Sequence, residues 1–309
     1  MRWKKKGIIC SRQSFDLPWY RKNTMVPTPF ITAAGGLRIL LTFCDPDNVG
    51  RIGYVDVDPA DPAKILGHSE RPALDVGERG AFDDHGVVTA SVLRRGEELW
   101  LYYSGYQLGV SYPYTIFSGL AVSRDEGLSF QRHSRVPILD RTEKEMHSRC
   151  APVVLMEEGR FKMWYLADFG NGWVENHGKL QPYYVTKYME STDGIHWDDA
   201  EGEHCLAFKD PAEHGLAKPS VWKQGGRYRM IYSIRHRERG YRLGYAESAD
   251  GIHFERKDDQ VGIDVSETGW DSGMICFGSV LQLGSKTYLF YCGNQYGLDG
   301  FGFAELSGD

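Results

Sequence analysis

The sequence predicts an all-β protein, a five-bladed β-propeller, and three observations carry that prediction. A pattern of short strand, Gly-containing turn and aromatic strand recurs five times along the 309 residues. Three copies end in nearly the same phrase: SRDEGLSF at 123–130, STDGIHW at 191–197 and SADGIHF at 248–254. The last copy stops one strand short, as a ring does when the other end of the polypeptide supplies the missing strand. Sheet-only repeats of this size are propeller blades.

The strands follow in order. VPTPFIT, LRILLTF and RIGYVDV come first. VVTASVL precedes GEELWLYYSGY, CAPVVLM precedes GRFKMWYLADF, and AKPSVWK precedes GGRYRMIYSIR. CFGSVLQ, KTYLFYCGN and GFGFAEL come last. Each is rich in β-branched or aromatic residues and bounded by turn formers. Taking Pro29, Ala90, Pro152, Pro219 and Gly278 as one repeated position gives spacings of 61, 62, 67 and 59 by subtraction of residue numbers. The blades then run over 17–75, 81–140, 145–205, 212–263 and 270–309, in a single domain of 1–309. GIIC at 7–10 is the expected donor of the closing strand, which removes an exposed sheet edge.

The phrases ending in Phe130, Trp197 and Phe254 are Asp-box-like turns. Ser and Asp side chains bond backbone N–H groups there, and Gly supplies positive φ. Asp125, Asp193 and Asp250 therefore read as scaffold rather than chemistry.

A formal net charge of −6 gives no basic footprint for nucleic acid or an anionic membrane. No apolar run reaches the roughly 20 residues of a bilayer span, and the N-terminal apolar stretch is too short for a signal peptide, so a cytoplasmic location is expected. The six cysteines form no CxxC pair, which argues against a zinc knuckle.

Chemistry in a propeller is expected at the mouth of the central channel. Five residues before the repeated position stand Thr24, His85, His147, His214 and Gly273, and one further back Asn23, Asp84, Met146, Glu213 and Ser272. Asp83, Glu145 and Asp271 lie just beyond. The second strands end at Asp45, Tyr106, Asp168, Arg235 and Asn294, polar and aromatic groups suited to sugar hydroxyls and sugar faces. Arg149 and Lys218 suit a carboxylate or phosphate.

With these phrases in view, the sequence resembles the five-bladed propeller superfamily of glycoside hydrolase families 32, 43, 62 and 68 over residues 15–309. APVVLMEEGRFKMWY and KPSVWKQGGRYRMIYS carry that resemblance. FDDHGVVTASV, VPILDRT, GYAESADGIHFER and GWDSGMIC look more narrowly like uncharacterised propeller proteins of bacterial polysaccharide and sugar-nucleotide gene clusters. The resemblance implies a family 43 base Asp before the first-blade Pro, where this sequence has Thr28 before Pro29. It implies a general acid two residues before a later Pro, where Ala217 and Lys218 precede Pro219.

Three readings stay open. The first is a glycoside hydrolase-like enzyme, of glycosidase or glycosyl-transfer type, acting on a glycosidic or sugar-phosphate linkage in intracellular carbohydrate or polysaccharide metabolism and needing no cofactor, with Glu213 as acid, Asp84 as base or nucleophile and Asp271 orienting substrate. Its substrate, a carbohydrate or sugar nucleotide, would meet Asn23, Asp83, Tyr106, Arg149, Asp168, Lys218, Arg235 and Asn294. The second is a metal-dependent lyase or isomerase with a divalent ion on His85, His147 and His214. The third is a carbohydrate-binding propeller without catalysis.

Overall fold

Hydrophobic segments between Gly turns become strands throughout the computed structural model, which describes residues 1–197 and 201–307. Strand β1 is Trp3–Cys10. The first antiparallel set is β2 (Thr24–Ile31), β3 (Leu37–Cys44), β4 (Gly50–Val57) and β5 (Ile65–His68). The second is β6 (Val87–Arg95), β7 (Glu98–Leu108), β8 (Tyr114–Ser123) and β9 (Gln131–Arg132). The third is β10 (Ser148–Glu157), β11 (Arg160–Asn176), β12 (Lys179–Ser191) and β13 (Glu203–His204). The fourth is β14 (Glu213–Gln224), β15 (Arg227–His236), β16 (Gly240–Ser248) and β17 (Glu255–Arg256). The fifth is β18 (Cys276–Leu283), β19 (Lys286–Cys292) and β20 (Phe301–Leu306), and β1 pairs with β20 from Trp3 opposite Leu306 to Cys10 opposite Phe301.

The apolar residues sit between successive sets. Phe30 and Leu40 meet Phe82 and Phe117; Trp100 and Tyr102 meet Phe161 and Met163; Trp164 and Tyr188 meet Met230 and Tyr232. Ile231 and Leu243 meet Leu289 and Ala304, and Phe290 and Phe303 meet Leu41 and Phe43 of the first set. The turn aromatics are wedges in these cores: Phe130, Trp197 and Phe254 are each buried in one. Their turns close as expected. Ser191 Oγ accepts from Gly194 N at 3.0 Å, and Asp193 Oδ1 accepts from Ile195 N at 2.8 Å. The turns at Ser123 and Ser248 repeat this.

Side by side lie the first strands of the sets: β2 with β6, β6 with β10, β10 with β14, β14 with β18, and β18 with β2. Each carries a bulge where its register with the second strand slips: after Met25, Thr89, Cys150, Ala217 and Cys276. The bulged residues Val26, Ala151, Lys218 and Phe277 hold positive φ of 53°, 50°, 42° and 55°. That conformation is costly for residues with a Cβ and re-aims the side chain out of the pleat. The bulges also correct the alignment of the first repeat. Val26–Pro27 occupies the place of Ala151–Pro152 and Lys218–Pro219, so Pro27 rather than Pro29 is the repeated position.

The carboxylates gathered before the first strands are structural ties. Asp83, fully buried, accepts from Tyr103 Oη at 2.9 Å and Arg132 Nε at 2.7 Å. Glu145, also fully buried, accepts from Lys187 Nζ at 2.9 Å and Tyr165 Oη at 3.2 Å and is ion-paired with Arg149, whose Nε lies at 2.6 Å. Asp271 accepts from Lys5 Nζ at 2.7 Å and Tyr291 Oη at 2.9 Å. Glu213 takes both arms of Arg256, at 2.7 and 2.8 Å. In each case an acid leading into a first strand is bound to a base on the third or fourth strand of its set. In the first set, buried Tyr20 bonds Thr24 at the corresponding place.

Removing one partner from a buried ion pair strands the other. Glu145→Gln is expected to lower stability by about 3–5 kcal/mol, whereas Asp84→Asn, on a partly exposed turn, should change it by about 1 kcal/mol or less. Urea denaturation midpoints measure both.

Candidate functional site

Where the five first strands meet lies a cavity of about 290 Å³. Four bulged residues line it, Val26, Ala151, Lys218 and Phe277, and in the second set Thr89, just before the bulge, lines it. Around them stand Tyr106 and Arg235 from the ends of second strands, then Tyr114, Tyr184 and Tyr241 from third strands, and Tyr296 from the turn after β19. None of the described lining residues is Asp or Glu.

The tyrosines form a connected wall. Tyr106 packs on Tyr114 at 5.1 Å between ring centroids, and Tyr241 packs edge-on against Tyr296 at 5.7 Å. Tyr184 and Tyr241 share a hydrogen bond through their hydroxyls. Arg235 lies over the Tyr241 ring at 5.7 Å, a cation–π contact. Lys218 Nζ donates to Ser279 Oγ at 2.6 Å, and among the described residues it has no ion-pair partner. Burial drives its pKa down to about 8.

Of the residues expected from sequence to bind substrate, Tyr106, Lys218 and Arg235 therefore face this cavity. Others serve elsewhere. Asn23 donates to the Gln295 and Tyr296 carbonyls, fixing the turn that presents Tyr296. Asn294 Oδ1 accepts from Gly273 N and Met274 N, fastening loops together. Arg149 is buried against Glu145 and donates to the Asp140 carbonyl. Asp83 belongs to the tie already described.

Nor does the expected catalytic trio assemble in the cavity. Asp84 caps a turn, accepting from Gly80 N at 2.8 Å while its other oxygen meets His85 Nδ1 at 2.6 Å. Burial pushes the Glu213 carboxyl up, but the Arg256 fork and Lys209 N–H outweigh it and hold it below the usual range. A general acid needs the opposite shift. Asp271 is tied to Lys5 and Tyr291 and is 2 % exposed.

The three histidines part company as well. Among the described residues no three of His, Cys, Asp and Glu are grouped so as to hold a metal ion. His85 stays with Asp84, while His214 Nδ1 lies 3.3 Å from the Pro182 carbonyl. Burial and then Arg235 lower the His214 pKa to about 4, leaving the ring neutral at neutral pH. His147 pairs with Asp168: its backbone N donates to Asp168 Oδ2 at 2.7 Å, and its Nδ1 lies 3.3 Å from the same oxygen. Asp168 and His147 line a separate open cleft of about 530 Å³, with Lys187, Glu201 and His204. Burial raises the Asp168 pKa against the opposing bonds from His147.

Sequence reasoning missed Tyr114, Tyr184, Tyr241 and Tyr296. A signal existed for two of them. Asp168 pairs with Tyr184 and Arg235 with Tyr241, so the residue across from each of these second-strand positions reaches the cavity.

This fold is that of the propeller glycoside hydrolases. BT0996, in a complex with RGII, superimposes with a TM-score of 0.74 at 18 % identity, covering 99 % of the present sequence and 92 % of its own. A thermostable family 43 glycoside hydrolase gives 0.66 at 16 % identity, covering 92 % and 88 %. A GH130 structure, from a family of mannoside phosphorylases that contains glycoside hydrolases targeting β-1,2 mannosidic linkages in Candida mannan, gives 0.73 at 14 %, covering 99 % and 93 %. The protein belongs to the family of the uncharacterized protein Rv1502 of Mycobacterium tuberculosis strain H37Rv, with 34 % identity over 306 residues and 99 % of both sequences covered. No family model matches it.

Lys218 holds its charge at a cost to the fold. With a folded pKa near 8 against 10.5 unfolded, the unfolded state binds the extra proton between those values, so native stability rises with pH across that window. Lys218→Met is expected to stabilise the protein at pH 7 by about 3 kcal/mol, with the advantage shrinking as pH climbs from 8 to 10.5. Thermal or urea unfolding at several pH values checks the sign.

Proposed function

We propose that the five strand sets are the blades of a five-bladed β-propeller closed by β1, and that the protein recognises a saccharide in its central cavity. One observation carries this reading: all five first strands contribute to a cavity walled by five tyrosines. Tyrosine faces pack on the C–H faces of sugar rings and their hydroxyls bond sugar hydroxyls. The volume is small for a ligand site, near the lower end of about 300–1,000 Å³, and suits one sugar ring better than an oligosaccharide.

A two-carboxylate hydrolysis mechanism lacks its groups in this cavity. Such chemistry needs an acid and a base or nucleophile flanking one bond, and the described lining residues include neither Asp nor Glu. A second reading keeps catalysis with a single acid. Asp168, whose pKa burial raises and which lines the separate open cleft rather than the central cavity, would give its proton to the leaving oxygen of a sugar bound in that cleft while a small anion attacks the anomeric carbon. His147 would orient it. The fold shared with a phosphorylase-containing family fits that reading. Separately, the six free, buried cysteines fit a reducing, cytoplasmic setting.

Calorimetric titration with a panel of monosaccharides is the first test. Tyr184→Ala and Tyr241→Ala should each weaken binding about 3- to 10-fold, while Glu213→Gln should lower stability and leave the affinity of the folded fraction unchanged. Saccharide binding that survives both tyrosine changes places recognition elsewhere. Turnover of activated glycosides that depends on added phosphate and vanishes in Asp168→Asn selects the single-acid reading.

A further inference from the structure

We infer that Lys218 and Arg235 form an anion subsite in the central cavity, so that its ligand is an acidic monosaccharide, a sugar bearing a phosphate or a carboxylate. This deepens the saccharide reading and rests on it for the sugar half alone.

The argument begins with the missing counter-charge. Lysine is almost never fully buried unless paired, and a buried ammonium is normally matched by a carboxylate or a metal-bound group. Lys218 is 4 % exposed, and its hydrogen-bond partner is the neutral hydroxyl of Ser279. The buried cations of the ties have their acids: Lys187 has Glu145, Arg149 has Glu145, and Arg256 has Glu213. Cations are paired where they hold the fold together, and this one is left unmatched where a ligand has room.

Arg235 adds a second charge to the same wall. Its guanidinium sits on the Tyr241 ring, an arrangement in which the planar N–H fork addresses oxygen atoms edge-on. The neighbouring histidine supplies no competing charge, being neutral at neutral pH, and the described lining contains no acid to neutralise either cation. Two cations in a low-dielectric pocket attract a phosphate or carboxylate far more strongly than they would at the surface.

Backbone strain points the same way. Lys218 holds φ of 42° at its bulge, directly before Pro219, and lines the cavity there. The equivalent positions carry Val26, Thr89, Ala151 and Phe277, none of them charged. One cation on an otherwise neutral inner ring marks a single place for the anion rather than a diffuse field.

The test is calorimetric titration of the full-length protein with four probes: inorganic phosphate, glucose 1-phosphate, glucuronate and glucose. Lys218→Met and Arg235→Gln are compared with wild type after circular dichroism shows each folded, with Arg235→Lys as the conservative control. The expected result is binding of at least one anion, weakened about 10- to 100-fold in each variant and partly restored in Arg235→Lys, as loss of a charged hydrogen bond predicts. A preference for glucose 1-phosphate or glucuronate upholds the subsite and identifies which acid group it takes. Phosphate binding that is lost in both variants, with no gain from an attached sugar, upholds the anion subsite and sinks the saccharide reading. If none of the three anions binds at millimolar concentration, or the variants bind them as tightly as wild type, the subsite is overturned; glucose binding alone would then leave a neutral-sugar cavity.

Discussion

A buried carboxylate held between a tyrosine and a cation, repeated around the molecule, is the interaction on which the rest of this structure depends. Asp83, Glu145 and Asp271 each precede a first strand and accept from a second-strand tyrosine: Tyr103, Tyr165 and Tyr291. Their cations come from the third or fourth strand of the same set: Arg132, Lys187 and Lys5. Glu213 and Arg256 do the same job, with Tyr232 reaching Asp258 instead. Each tie therefore spans its set from the innermost strand outward past the second. A sheet fan has few other ways to fix that distance, because hydrogen-bond ladders join only neighbouring strands.

Fixing the start of the first strand also fixes where it bulges. The slip in register comes a few residues on, and there the side chain leaves the sheet and enters the cavity. A left-handed conformation at Val26, Ala151, Lys218 and Phe277 is tolerated because paired backbone on both sides over-determines it. The order is thus carboxylate tie, strand position, bulge, cavity wall. Chemistry at the centre is set by which residue stands at each bulge, and changing it leaves the ties untouched.

Much of this architecture was legible in the sequence because its signals are local. The alternation of aromatic strands and Gly turns and the Ser-x-Asp turns come from contacts within a few tens of residues, and they recur with a period near 62. The acids before the first strands were legible as a column too, but not their role. Their partners lie far along the sequence: 49 residues separate Asp83 from Arg132, 42 separate Glu145 from Lys187, and 266 separate Lys5 from Asp271. A column of acids facing a channel and a column of acids facing cations inside the sheets look identical in one dimension. The histidine column failed for a related reason. Sharing a position in the repeat does not bring side chains together, and His85, His147 and His214 each turn to a partner in their own surroundings. The first repeat misled by two residues, since TMVPTPF offers two prolines and only the bulge shows that Pro27 is the equivalent one.

What separates a functional charge from a structural one in this protein is whether it has been neutralised. Removing the cation of a tie would strand a buried acid, so those residues answer to stability. Lys218 answers to the opposite pressure, since an apolar side chain of similar length would suit its buried surroundings better. Residues that lower stability without a structural return are the ones retained for binding or catalysis. The same standard discounts Glu213 and Asp271, whose charges are satisfied by Arg256 and Lys5, and turns attention to a buried ammonium in the central cavity that finds only a hydroxyl. Where Asp83, Glu145, Glu213 and Asp271 each have a base within their own set, Lys218 and Arg235 of the central cavity have no acid among the described residues, and a ligand would supply it.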